Sequence, residues 1–211
     1  MTRLADWYFD FVSPYSYLAR RLFPRLPADL EVRNVPVLFA GLLKHFGHKG
    51  PAEIPLKRAH AFRFCLWFAK RHGIPFLMPP AHPFNPLAPL RECLRLGSSH
   101  EVVDVLFRGI FEQGMLPTDD RYWQWCAAES GCDIARRDDY DAAIKDALRE
   151  NTALAAGSGI YGVPTFSFEG ETFWGADHFD MFLEYLDDPA PFMDDEARRI
   201  ADLPVGATRR Q

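Results

Sequence analysis

The stretch DWYFDFVSPYSYL, residues 6–18, decides how the rest of the chain is read. Its first half, residues 7–12, is aromatic and β-branched, which predicts a short buried strand. Ser13 and Pro14 then cut the strand. Serine caps helices well and proline suits the first helical turn, so a helix is expected from Pro14 onward. A strand that feeds a helix in this way ends at unpaired amide N–H groups and the positive end of the helix dipole, where an anion is stabilised. Ser13 serves that helix start either as a cap alone or as a group facing a ligand.

Outward from this turn, residues 14–26 repeat apolar side chains at helical spacing until Pro24 and Pro27 end the run. Residues 31–38 alternate and then turn apolar, giving a second strand, parallel to the first through the helical crossover. From about Leu42 to Gly157 helical periods replace strand signal. Residues 55–72 are apolar on more than one face and are expected to lie buried between layers. A proline-rich loop, 75–89, carries His82 and Asn85. Further helices follow from Leu87, over 102–111, over 122–129 and over 138–156, the last opened by acids and closed by Gly157 and Gly159. Strand character returns at 163–168 and, after a Glu169-Gly170 turn, at 172–174. Asp177 opens a final long helix to Leu186; a short helix follows Asp194, and residues 204–211 read as a frayed end. This order predicts an α/β, thioredoxin-like fold with a large all-helical insertion. Residues 1–41 and 158–190 form the thioredoxin-like part, 42–157 the inserted helical domain, and 191–211 a C-terminal tail.

With 211 residues, 48% hydrophobic and 25% charged, the chain is long enough for one sizeable core carrying an insertion. A net charge of −5 without a basic stripe argues against nucleic acid as a partner. No apolar run is long enough to span a membrane, and no signal peptide opens the chain, so the cytoplasm is the expected compartment. Cys65, Cys93, Cys126 and Cys132 fit no metal-binding spacing and lie far from the SPYS turn. They read as buried free thiols, with a Cys126–Cys132 disulfide left open.

In thioredoxin-fold oxidoreductases the turn at this place carries Cys-Pro-x-Cys. Here both sulfur positions are serine, Ser13 and Ser16. The helix-start field, which would otherwise lower the pKa of a built-in thiol, is free to act on a thiolate that a ligand brings. Glutathione is the obvious candidate. Gly162-Val163-Pro164-Thr165 opens the third strand, where such folds hold a cis-proline facing the turn. The backbone of Val163 would grip the cysteinyl part of glutathione as an added strand does, unless Pro164 merely starts the strand. In Phe173-Trp174-Gly175-Ala176-Asp177-His178, Asp177 is either a helix cap or a carboxylate for the γ-glutamyl ammonium, with the neighbouring amides meeting the ligand's carboxylate.

Taken in order, FDFVSPYSYLA, KRAHAF, GIPF, the run from Asn85 to Arg91, GVPTF and FWGAD strongly resemble the 2-hydroxychromene-2-carboxylate isomerase family. That family is related to kappa-class glutathione transferases and to DsbA-like oxidoreductases. The resemblance implies a glutathione-dependent cis–trans isomerase of an aromatic 2-oxo acid in aromatic-compound catabolism, built as a homodimer and using no metal. Ser13 then matches the serine that activates the glutathione sulfur. Val163, Pro164 and the turn Trp174, Gly175, Ala176, Asp177, His178 match the glutathione-binding positions, with Lys57 near the glycyl carboxylate. His48, His60 and Asn85 fall at substrate positions. His48 and His60 replace the family's asparagine and tyrosine, and an imidazole can donate hydrogen bonds as those groups do. Rival readings are a kappa-class-like transferase or peroxidase using the same residues, and a non-catalytic ligand-binding thioredoxin fold. A dithiol oxidoreductase is argued against by Ser13 and Ser16.

Overall fold

In a computed structural model, which describes residues 2–207, the opening stretch forms strand β1 (Arg3–Phe9) and helix α1 (Pro14–Arg21). The strand ends before Phe11 and Val12, earlier than its composition suggests. The Asp10 carboxylate accepts the Val12 N–H at 2.9 Å, which turns those residues out of the ladder. Helix α1 stops at Arg21, and Pro24 sits in a separate 3₁₀ turn, Phe23–Arg25, because its missing N–H cannot extend an α-helix.

Strand β2 (Leu30–Pro36) pairs parallel to β1, as the βαβ pattern requires. Six helices then precede the next strand: α2 (Phe39–Phe46), α3 (Pro55–Arg71), α4 (Leu87–Arg95), α5 (His100–Phe111), α6 (Asp120–Ser130) and α7 (Ala142–Gly157). Strand β3 (Thr165–Phe168) runs antiparallel to β1, and β4 (Glu171–Trp174) closes a sheet of order β2-β1-β3-β4. Helices α8 (Phe179–Asp187) and α9 (Asp195–Ala201) follow. The α/β, thioredoxin-like architecture with helices inserted between β2 and β3 is the one expected. Helical structure begins earlier than Leu42, since α2 starts at Phe39. Of the expected tail, residues 208–211 lie outside the described residues.

Alternation along β1 splits its side chains between two cores. Ala5, Trp7 and Phe9 enter the larger one, where Trp7 and Phe9 stack at 4.5 Å and Phe107 of α5 packs against Phe9 and Phe11. Phe107 ties the inserted helices to the sheet. Removing such a buried ring costs about 3–5 kcal/mol. On the other face Tyr8 and Val35 pack with Val37, Leu42, Ala155, Ile160 and Val163, so α2 and α7 cover the sheet beside the turn.

Three expectations change. Helix α3 buries only Cys65, Phe68 and Ala69, while Leu56 is 86% exposed and Trp67 54%, so it is a peripheral helix with one inward face. Helix α7 starts at Ala142, and no side-chain cap bond comes from Asp141. The preceding segment is held instead by the fully buried Glu92, which accepts the Ala135 N–H at 2.9 Å and pairs with Arg95 at 2.8 Å. The final long helix begins at Phe179, after a 3₁₀ turn Ala176–His178 that contains Asp177. Cys126 and Cys132 are both free.

Candidate active site

Asp10 builds the turn. Its backbone carbonyl accepts the Ser13 N–H at 3.0 Å, and its carboxylate accepts Val12 N–H at 2.9 Å and Phe39 N–H at 2.8 Å. One buried carboxylate thereby joins the β1–α1 turn to the start of α2. Burial pushes its pKa up to about 7, against the pull of those two N–H donors.

Ser13 follows as the N-cap of α1, with extended backbone angles (φ −89°, ψ 113°), and its Oγ accepts the Ser16 N–H at 3.1 Å. With that lone pair engaged, the hydroxyl proton points to the Val163 carbonyl oxygen at 3.5 Å. That distance is at the long limit for O–H···O, so the proton is weakly held and can turn to a better acceptor. Ser16 Oγ is buried and forms no hydrogen bond, and Ser16 does not line the cavity. The second sulfur position is therefore structural here.

The Val163 carbonyl faces Ser13; the Val163-Pro164 bond is cis, and the Pro164 carbonyl accepts the Gly175 N–H at 2.8 Å. Gly162 lies under Trp174: a Cβ there would stand 2.4 Å from the indole Nε1. Gly175 has φ +104°, and a Cβ on it would meet Asp177 Oδ1 at 2.3 Å, so only glycine lets the chain turn this close to that carboxylate. Asp177 makes no side-chain cap bond to either the 3₁₀ turn or α8. Its half-exposed carboxylate stands 3.6 Å from His178 Nδ1 and lines the cavity.

The cavity itself has a volume of about 990 Å³. Ser13, Asp10 and Val163 line it from the sheet side, and Trp174, Gly175 and Asp177 from the β4 side. Leu43, Leu56, Phe62 and Phe84 give it apolar walls, while Lys44 of α2, Lys57 and His60 of α3 and His48 of the loop between them bring basic side chains. Glu53 accepts the Gly50 N–H at 2.7 Å and so shapes the loop between those helices. Tyr15 stacks on Phe64 at 5.3 Å, and burial raises its hydroxyl pKa, keeping it neutral.

Of the residues singled out in the sequence, Ser13, Val163, Trp174, Gly175, Asp177, Lys57, His48 and His60 converge on this one cavity. Pro164, Ala176, His178 and Asn85 do not line it. Pro164 sits behind Val163, Ala176 is buried, and His178 is the neighbour of Asp177. Asn85 spends its carboxamide oxygen on the Leu87 N–H, 3.0 Å away, in a side-chain turn that leads into α4. Asp10, Lys44 and His82 also line the cavity, outside the site residues that the motifs point to. A lone acid between Phe9 and Phe11 was the available signal for Asp10; a histidine among prolines gave none for His82. Among the described residues no cysteine lines the cavity. Burial raises the pKa of Cys65, Cys93 and Cys126 to about 12, so these thiols stay protonated and inert. No helix among the described residues is long and apolar enough to cross a membrane.

The 2-hydroxychromene-2-carboxylate isomerase of Sphingobium xenophagum is 26% identical over 200 residues, covering 88% of this chain and 99% of that protein. Glutathione S-transferase kappa 2 of Caenorhabditis elegans is 24% identical over 209 residues, covering 89% and 93%. Among solved structures, a 2-hydroxychromene-2-carboxylate isomerase superposes with a TM-score of 0.72 at 22% identity, over 96% of this chain and 100% of the other. A probable DsbA oxidoreductase from Streptomyces coelicolor gives 0.60 at 17%, over 98% and 94%. The DSBA-like thioredoxin domain matches residues 5–187, which takes in helices α1 to α8 and nearly all of the sheet; the chain belongs to that family.

Proposed function

We propose that the cavity binds glutathione with its sulfur against Ser13 and isomerises 2-hydroxychromene-2-carboxylate or a similar aromatic 2-oxo acid. The observation that carries this reading is a weakly held serine hydroxyl at a helix start, inside a large cavity that no cysteine lines. Such a site is built for a sulfur anion it does not own. The residues present suit glutathione. Asp177, with no cap bond to make, is available to the γ-glutamyl ammonium, Lys57 to the glycyl carboxylate, and the Val163 backbone to the cysteinyl part.

Bound here, glutathione would supply the nucleophile for a reversible addition to the conjugated double bond, by which that bond could rotate with no net redox change. The chain's own part is electrostatic. Ser13 Oγ–H donates to the sulfur, and the first amide N–H groups of α1 add their dipole. A serine hydroxyl is too weak an acid and base to take the thiol proton, so Ser13 is a donor only. The apolar walls Leu43, Phe62 and Phe84 suit the aromatic part of the substrate, and Lys44 and His48 suit its carboxylate.

The kappa-class relatives favour a second reading, conjugation or peroxide reduction with glutathione at the same residues. Turnover of 2-hydroxychromene-2-carboxylate and of a chlorinated aromatic conjugation substrate, each with and without glutathione, tests both. Isomerisation that needs glutathione supports the first reading, and conjugation alone supports the second. Binding without either reaction, and without a lowered thiol pKa, makes the protein a ligand-binding thioredoxin fold. A cytoplasmic homodimer completes the proposal; the exposed Leu66 and Trp67 of α3 are the kind of surface a partner subunit covers.

A further inference from the structure

His82 stands in the cavity wall, on the loop between α3 and α4, and its Nε2 lies 2.7 Å from the Val12 carbonyl oxygen. A carbonyl can only accept, so Nε2 carries the proton and donates. Burial lowers the His82 pKa, which keeps the ring neutral and leaves the lone pair on Nδ1. Phe62 and Phe84 meet the ring edge-on, with centroids at 5.2 and 6.0 Å, so packing on both sides fixes its orientation.

The Val12 carbonyl and the Ser13 N–H belong to one planar peptide unit. That unit is held at both ends: the Asp10 carbonyl accepts its N–H at 3.0 Å, and His82 donates to its oxygen. The peptide unit before it is held too, through the Val12 N–H on the Asp10 carboxylate. Fixed planes on either side of Val12 set its backbone torsions and so where the Ser13 N and Cα stand. The Ser13 carbonyl, which accepts the Tyr17 N–H at 3.2 Å, holds the far side of Cα, and the direction of Cβ and Oγ is set between the two. Of these partners, only His82 comes from outside the turn and α1, 70 residues along the chain.

We propose that His82 is a positioning residue for Ser13: by holding the Val12–Ser13 peptide plane from the loop before α4, it aims the Ser13 hydroxyl across the cavity at Val163 and at any sulfur bound there. The proposal rests on the reading of Ser13 as the donor to sulfur. His82 needs no contact with substrate for this role. The loop thereby becomes part of the activation machinery, and a change of loop position is transmitted to the reacting sulfur through a single hydrogen bond.

A thiol placed at the turn reports its geometry without any glutathione. In the Ser13→Cys variant, ultraviolet thiolate absorbance titrated against pH gives the pKa at position 13. Adding His82→Leu removes the donor to Val12 and is expected to raise that pKa by about one unit, or roughly tenfold less thiolate at neutral pH. Adding His82→Gln keeps an N–H donor and is expected to restore most of the shift. An unmoved pKa with His82→Leu, or equal shifts with Leu and Gln, overturns the proposal. Ring-nitrogen NMR of the wild-type protein is a second test that needs no variant. A neutral ring protonated on Nε2 is expected, and a charged ring or the Nδ1–H form at neutral pH overturns it. If the thiol series orders as expected while wild-type protein leaves the glutathione thiol unshifted, the glutathione reading fails and the positioning role stands.

Discussion

Ser13 Oγ and the Val163 carbonyl oxygen are 3.5 Å apart across 150 residues of sequence. One belongs to the start of α1, the other to the residue before the cis-proline that leads into β3. Their approach places the start of α1 and the lead into β3 at one side of the cavity. A group bound between them meets a hydroxyl donor on one side and backbone on the other.

Gly162 keeps Val163 in place by letting Trp174 lie directly over the chain. A methyl group at position 162 would stand 2.4 Å from the indole Nε1, so either Trp174 or Val163 must shift. Gly162→Ala is expected to weaken glutathione binding about tenfold, read by calorimetry. Unchanged affinity would mean that the Trp174 ring yields alone and that its position is irrelevant to binding.

Asp177 makes no cap bond, so its removal should cost little stability. A charge-assisted hydrogen bond contributes about 1.5–3 kcal/mol, and Asp177→Ala is expected to raise the glutathione Kd by about ten- to a hundredfold. The melting temperature should hardly move. A drop in melting temperature with Kd unchanged would return Asp177 to a purely structural role.

The chain's thiols take no part in the proposed chemistry. Replacing Cys65, Cys93, Cys126 and Cys132 together by alanine should leave glutathione-dependent turnover within a few-fold of wild type, corrected for the folded fraction, since three of them are buried and protonated. Full turnover by dialysed wild-type enzyme lacking glutathione would sink the borrowed-nucleophile account.

Asp10 gives the fold a pH dependence with a definite sign. Its carboxyl titrates at about 7 when folded and at its ordinary 3.8 when unfolded. Between those values the native state binds more protons, so this group's contribution to stability falls as pH rises through the window. Urea unfolding of wild type and Asp10→Asn should show the wild-type advantage shrinking from about pH 4 to about pH 7. An advantage that grows with pH would place Asp10 in a salt-bridged state that its surroundings do not offer.

Much of this was legible in the sequence, because local signals and the tertiary fold agree there. Ser-Pro after an aromatic run marks the end of a strand and the start of a helix, and Val163-Pro164 marks the facing turn. Signals failed where a long-range polar group overrides local pattern. The acids before Ala142 look like caps, but the segment is held by Glu92, which local pattern cannot link to it. Residues 55–72 read as lying between layers because apolar composition on more than one face does not say whether a second layer exists to cover them. Asn85 carries the motif but spends its carboxamide on the turn into α4, and His82 reaches the site through one hydrogen bond that spacing does not encode.

The central claim is that Ser13 stabilises a thiolate brought by glutathione, and the thiol pKa of bound glutathione tests it most directly. A hydroxyl donor to sulfur at a helix start contributes about 1.5–3 kcal/mol, or roughly one to two pKa units. Thiolate absorbance of the wild-type complex titrated against pH should give a bound-thiol pKa well below that of free glutathione. Ser13→Ala should move it up by about one to two units and slow turnover at neutral pH in proportion. A titration curve and a rate that are the same in both proteins would make Ser13 a helix cap and contradict the account.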